Sequence, residues 1–134
     1  AGEEAAAAVA RLMNQCATLL KELARYDEAE PLFRRALEIF EAALGPDHPS
    51  TGSSVNNLAS LLRAKGDLDG AEPLCRRAVE IREAALGPDH PDTGTSVNNL
   101  AGLLYAKGDL DGAEPLYRRA LEIDEAALGP DHPS

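Results

Sequence analysis

The side chains of this 134-residue chain that could move a proton or hold a metal are three histidines, two cysteines and an excess of carboxylates. His48, His90 and His132 recur at a 42-residue spacing in the same Gly-Pro-Asp-His-Pro turn. Metal ligands must converge on one ion, and residues a whole repeat apart do not. A capping or turn role is expected instead. Cys16 and Cys75 lie inside apolar helical patterns, without a CxxC partner or a neighbouring His, and read as small core side chains. Glu38, Glu80 and Glu122 keep helical spacing beside Arg34, Arg76 and Arg118, the pattern of solvated ion-paired faces. The sequence contains no nucleophile paired with a base, glycine-rich phosphate loop or metal motif. Neither an enzyme nor a cofactor is expected.

Reversible hydrogen bonding to another chain fits the amides better. Asn14, Asn56 and Asn98 share one register position, and an amide can donate and accept at once, so a ladder of them can hold a peptide backbone. Neighbouring helix axes stand about 8–10 Å apart, close to three residues of extended chain at about 3.3 Å each. Flanking rows are Arg11, Ser53 and Thr95; Thr18, Ser60 and Gly102; and Lys21, Arg63 and Tyr105. Residues 51–92 and 93–134 differ at only seven positions. Three of these, Ser53/Thr95, Ser60/Gly102 and Arg63/Tyr105, fall on this stripe. Lys21 and Arg63 favour an acidic or carboxylate-ended ligand, and Tyr105 offers an aromatic contact. A plain solvated face is the open alternative for all of them. Asn57 and Asn99, with Gln15 in register, suit bridging between repeats.

The elements that must carry this stripe are legible from the repetition. Gly45, Gly87 and Gly129 open successive copies of the same turn, 42 residues apart. Within each unit Val55, Leu58, Ala59 and Leu62 line one face of a first helix. Ala71, Leu74, Ala78, Ile81 and Ala85 make one stripe on a second helix, and Cys75, Val79 and Leu86 make another beside it. Two apolar sides require cover from both the helix's own partner and the next repeat. Asp67 is placed to cap the second helix, the glycines to end it in a left-handed conformation, and Pro49 and Pro91 to open the next. Pro31, Pro73 and Pro115 fall inside second helices, where a mild kink is expected.

These residues resemble the tetratricopeptide repeat in its long, kinesin-light-chain-like form. The resemblance is carried by Val55-Asn56-Asn57-Leu58-Ala59, Lys65-Gly66-Asp67, Ala71-Glu72-Pro73-Leu74-Cys75-Arg76-Arg77-Ala78 and Leu86-Gly87-Pro88-Asp89-His90-Pro91. It implies an all-α solenoid, a right-handed superhelix of three hairpins and six helices, with first helices lining a concave groove. One array over 1–134 is expected, with repeats at about 9–50, 51–92 and 93–134 and a helical extension over 1–8. The family's usual period is about 34, and eight further residues are about two helical turns, one per helix.

The expected function is protein–protein interaction, with a peptide or partner segment in the groove. The alternative is a scaffold that self-associates end to end through Tyr117 and Leu121, or a consensus-derived array. Irregular Met13, Cys16, Tyr26 and Phe33 in the first repeat favour a natural fragment. A net charge of −10 argues against nucleic acid. No apolar run approaches the length of a membrane span, and a cytoplasmic location is expected.

Overall fold

A computed structural model describes residues 2–129. Six helices follow one another: α1 (Gly2–Glu22), α2 (Tyr26–Leu44), α3 (Pro49–Ala64), α4 (Leu68–Leu86), α5 (Pro91–Ala106) and α6 (Leu110–Leu128), with no strand among the described residues. They pair as three hairpins, α1 with α2, α3 with α4 and α5 with α6, and each hairpin stacks on the next through α2 on α3 and α4 on α5. This is the all-α, paired-helix solenoid that the sequence implies. In the second and third units the helices have 16 and 19 residues. α1 runs unbroken from Gly2, so the extension and the first helix of repeat one are a single element.

Local chemistry accounts for most helix ends. Pro49 and Pro91 open α3 and α5, and the Nδ1 atoms of His48 and His90 accept from Ser50 N and Asp92 N at 3.0 Å. The histidines are therefore N-caps, satisfying donors that a helix start leaves free; His132 lies outside the described residues. Asp67 and Asp109 cap α4 and α6 by accepting from Gly70 N and Gly112 N at 2.9 Å. Gly45, Gly87 and Gly129 have φ of 96, 98 and 88°, but their ψ values of 158 to 162° make an extended exit instead of the expected left-handed helical turn. In repeat one Ala24 takes φ 60°, where Gly66 and Gly108 stand in the later repeats. A side chain in that region costs about 1–2 kcal/mol. Pro31, Pro73 and Pro115 sit in the second turns of α2, α4 and α6, and each helix continues past its proline.

Two buried clusters form the core. The larger runs without interruption from Ala17 and Phe33 through Leu58, Leu61 and Ile81 to Leu104 and Ala120. The smaller joins Ala7, Ala10, Ala36 and Phe40 at the start. Both apolar sides of α4 are covered, since Ala71, Ala78 and Ile81, and also Cys75 and Val79, are buried, whereas Ala85 is exposed at the helix end. Within hairpins the helices approach closely enough that a Cβ on Gly52 would lie 2.9 Å from Ile81 Cγ2, and one on Gly94 2.9 Å from Ile123 Cγ2.

Candidate functional site

The first helices carry the expected rows, and a few bonds tie row residues to neighbouring helices. Lys21 Nζ on α1 donates to Ser60 Oγ on α3. One repeat later Arg63 lies over Gly102, where a Cβ would meet its Nη1 at 3.1 Å and Tyr117 Oη at 3.5 Å. The loss of a side chain at Gly102 thus makes room for the guanidinium. Arg82, on α4, reaches across to the stripe: its Nη1 donates to Ser96 Oγ at 2.9 Å and Asp92 O at 3.1 Å, and its Nη2 donates to Ser53 Oγ at 3.4 Å. Second helices therefore contribute to this surface, a contribution not assigned from the sequence. The signal was present as the Arg82/Asp124 difference between otherwise matching repeats.

The asparagine row is not uniform in its surroundings. Asn56 Oδ1 accepts from Asn99 Nδ2 at 3.2 Å, so Asn99 bridges repeats as expected, with a stripe residue as its partner. Asn14 Oδ1 is buried without a hydrogen-bond partner among the described residues. Asn98 is exposed. Two hydroxyls turn back on their own helices, Thr18 Oγ1 to Asn14 O at 2.8 Å and Thr95 Oγ1 to Pro91 O at 3.2 Å. Tyr105 stands 63% exposed at the end of its row.

Three hollows open along the stripe. Arg11, Asn14, Phe40 and Ser53 line one of about 290 Å3. Asn56, Ser60, Arg63 and Asn99, floored by Cys75, line a second of about 140 Å3. Thr95, Asn98, Tyr117, Leu121 and Asp124 line a third of about 260 Å3. Cys75 is buried, and desolvation pushes its thiol above the usual range. Cys16 is exposed, contrary to the core role expected of it, because it lies on the outer side of α1. Its counterparts Leu58 and Leu100 are buried because the preceding hairpin covers them.

The charges divide sharply between surfaces. Of the 13 Lys and Arg side chains, nine make ion pairs with carboxylates. Arg34, Arg76 and Arg118 pair with Glu30, Glu72 and Glu114, one turn before them, and not with Glu38, Glu80 and Glu122 one turn after. Lys65 and Lys107 join adjacent repeats by reaching Glu30 and Glu72 at 2.7 Å. Bonds from Lys65 first and Arg34 second hold the Glu30 carboxyl below its ordinary 4.5, and Lys107 with Arg76 does the same to Glu72. The four cations with no carboxylate within 4.0 Å among the described residues are Arg11, Lys21, Arg63 and Arg82. Three are row residues and the fourth is bonded to Ser53. No group of three or more His, Cys, Asp or Glu among the described residues could hold a metal ion, and no described helix is long and apolar enough to cross a membrane.

A family model of the tetratricopeptide repeat matches residues 8–61, 53–126 and 96–134. No curated protein matches significantly. A crystal structure of BtubC (BKLC) from P. vanneervenii is similar at 33% identity and a TM-score of 0.84, over 94% of this chain and 50% of that one. Nearly identical TPR-like repeats of a Podosopora anserina putative kinesin light chain are similar at 26% identity and a TM-score of 0.83. A variant of that protein gives 26% and 0.84. Both cover 96% of this chain and 60% of their own. The chain therefore spans half to three-fifths of the length of these structures.

Proposed function

We propose that this chain, which belongs to the tetratricopeptide-repeat family, uses the stripe on its first helices to bind an acidic segment of a partner protein. General protein–protein interaction is the property of such solenoids. The acidic preference rests on one observation: in a chain of net charge −10, the only four cations without a carboxylate partner among the described residues gather along one surface. Exposed cations elsewhere are already neutralised by neighbours. Those on the stripe are satisfied only by hydroxyls and a backbone carbonyl, or by nothing, so an incoming carboxylate would gain a charge-assisted bond without displacing one.

The overall negative charge does not defeat this preference. At physiological ionic strength charges separated by more than about 8 Å are largely screened, so a ligand seated on the stripe responds mainly to its immediate neighbours. Asn56 and Asn98 would hold the ligand backbone, while Lys21 and Arg63 would read its acids. The third repeat has Thr95, Tyr105 and Asp124 at the positions of Arg11, Arg63 and Arg82, so the acidic part of the ligand would lie over the first two repeats.

Fluorescence anisotropy with a fluorescein-labelled Asp/Glu-rich peptide library, counter-screened with Asn/Gln versions, tests the reading. Binding should weaken with salt and fall about tenfold or more in the Arg11→Ala, Lys21→Ala, Arg63→Ala variant, the loss of one to two charge-assisted bonds. Acidic peptides that bind no better than their amide counterparts, or bind the triple variant equally well, would show that the stripe is only a solvated face.

A further inference from the structure

Each internal joint between hairpins is closed by the same polar bonds. Thr51 Oγ1 and Thr93 Oγ1 donate to the carbonyls of Gly45 and Gly87 at 2.8 Å. Lys65 and Lys107 reach Glu30 and Glu72, and Arg77 and Arg119 reach Glu41 and Glu83 at 2.8 and 2.9 Å. Between these bonds Leu58, Leu61, Leu100 and Leu103 are no more than 4% exposed.

The outer side of α1 occupies the same register positions with different chemistry. Val9 stands for Thr51, Leu12 for Ser54, Cys16 for Leu58, Leu19 for Leu61 and Leu23 for Lys65. Val9 cannot donate to a turn carbonyl, and Leu23 cannot meet a carboxylate. Two of the three polar links of a repeat joint are therefore missing, and a repeat of this kind stacked on α1 would leave its Glu and its carbonyl unanswered. In their place is an apolar line. Val9, Leu12, Leu19 and Leu23 are 47, 64, 62 and 66% exposed, and Cys16 between them is exposed too. The spacing of these five, alternately three and four residues, is the seam by which two helices pair along their length. The outer side of α6 is different, since Glu114 and Asp124 interrupt the line of Leu110, Tyr117, Leu121 and Leu128.

We infer that the α1 seam pairs with the same seam of a second copy of this chain, antiparallel, in a twofold dimer. The occupant must offer an uninterrupted apolar seam, and among the described helices α1 is the one that does. A twofold contact needs only this self-complementary surface. Antiparallel order sets Val9 opposite Leu19, Leu12 opposite Cys16, and Ala5 opposite Leu23 of the second copy. It also brings the acidic first turn, Glu3 and Glu4, to the level of Arg25 of the second copy, whose present partner Glu28 forms only an exposed pair. Parallel order would instead level Glu3, Glu4 and Glu22 with themselves, so charge favours the antiparallel arrangement.

Sedimentation equilibrium on the 134-residue chain, over a micromolar to millimolar series, should find a monomer–dimer equilibrium that stops at the dimer. Leu12→Glu with Leu19→Glu should weaken it about a hundredfold or more. So should Val9→Thr with Leu23→Lys, which installs the residues that later repeats already fold with at these positions. Circular-dichroism melts identify which variants remain folded. Under mild oxidation Leu12→Cys should give a disulfide-linked dimer with Cys16 of the second copy, while the parent chain, whose two Cys16 thiols are offset by about 6 Å along the helices, should not. A strict monomer, a dimer that survives both folded variants, or a parent chain that cross-links through Cys16 as readily as the variant would overturn the inference. Growth beyond a dimer that depends on Tyr117 and Leu121 would overturn it in favour of end-to-end stacking.

Discussion

At the scale of single residues, position within the array decides what a side chain does more than its type. The two cysteines show this. Both sit in apolar helical patterns, yet Cys75 is 5% exposed between α4 and the next hairpin and Cys16 is open to solvent. Burial also raises the Cys75 thiol by disfavouring the thiolate, the form that reacts. At protein concentrations low enough to keep the chain monomeric, a thiol-alkylating reagent at mildly alkaline pH should therefore label Cys16 rapidly and Cys75 only on unfolding. Mass mapping of the labelled peptides reads this directly, and equal rates at the two sites would contradict the buried placement of Cys75. Periodicity could not separate them, because it reports which residues share a helix face and not whether a neighbour covers that face. The same blindness left Leu61, wholly buried, outside the expected core, and concealed the Arg82 contact with the stripe. What identity and spacing did reveal was the row structure itself, since a two-residue turn signal or a capping Asp acts locally and repeats with the chain.

At the scale of elements, the helices and their caps were legible because each depends on a few adjacent residues, whereas the joints between hairpins depend on pairs about 35 residues apart. Lys65 with Glu30 and Lys107 with Glu72 are such pairs, and their effect should appear in the acid response. Glu30 and Glu72 are held below 4.5 in the folded chain. A depressed carboxyl binds fewer protons folded than unfolded, so its contribution is complete above about 4.5 and is lost as pH falls through the lower folded value. Both side chains are only partly buried at the surface, 22 and 24% exposed, and surface ion pairs of this kind contribute little each. Thermal melts of the parent chain should therefore be level in this respect above pH 5 and decline below about 4.5, the unfolded-state value. The Glu30→Gln, Glu72→Gln variant should be less stable near neutrality and lose less on acidification. Parallel declines in the two proteins would assign acid sensitivity elsewhere.

At the scale of the whole molecule, an array whose units touch only their neighbours distributes stability according to how much of each unit is covered. α4 lies between α3 and α5, and its outer residues Cys75 and Val79 are 5 and 7% exposed. The corresponding Tyr117 and Leu121 of α6 are 40 and 58% exposed, with the same surrounding sequence. Burying one such side chain fully is worth about 1.5–3 kcal/mol, so α6 of the 134-residue chain should open at a free energy lower than α4 by about that amount. Hydrogen exchange followed by mass spectrometry compares the two directly, because their near-identical sequences give near-identical intrinsic rates. Covering α6 supplies the control. Its outer face retains Glu114 and Glu125, the counterparts of the carboxylates that receive Lys107 and Arg119 at the internal joint. A copy of residues 51–92 fused in phase after Ser134 would bring the matching Thr, Lys and Arg to that face. Protection of α6 should then rise to the level of α4, while α1, whose outer seam lacks those links, should be unchanged. If α6 were already as protected as α4 before the fusion, exposure of Tyr117 and Leu121 would not be what sets stability along the array.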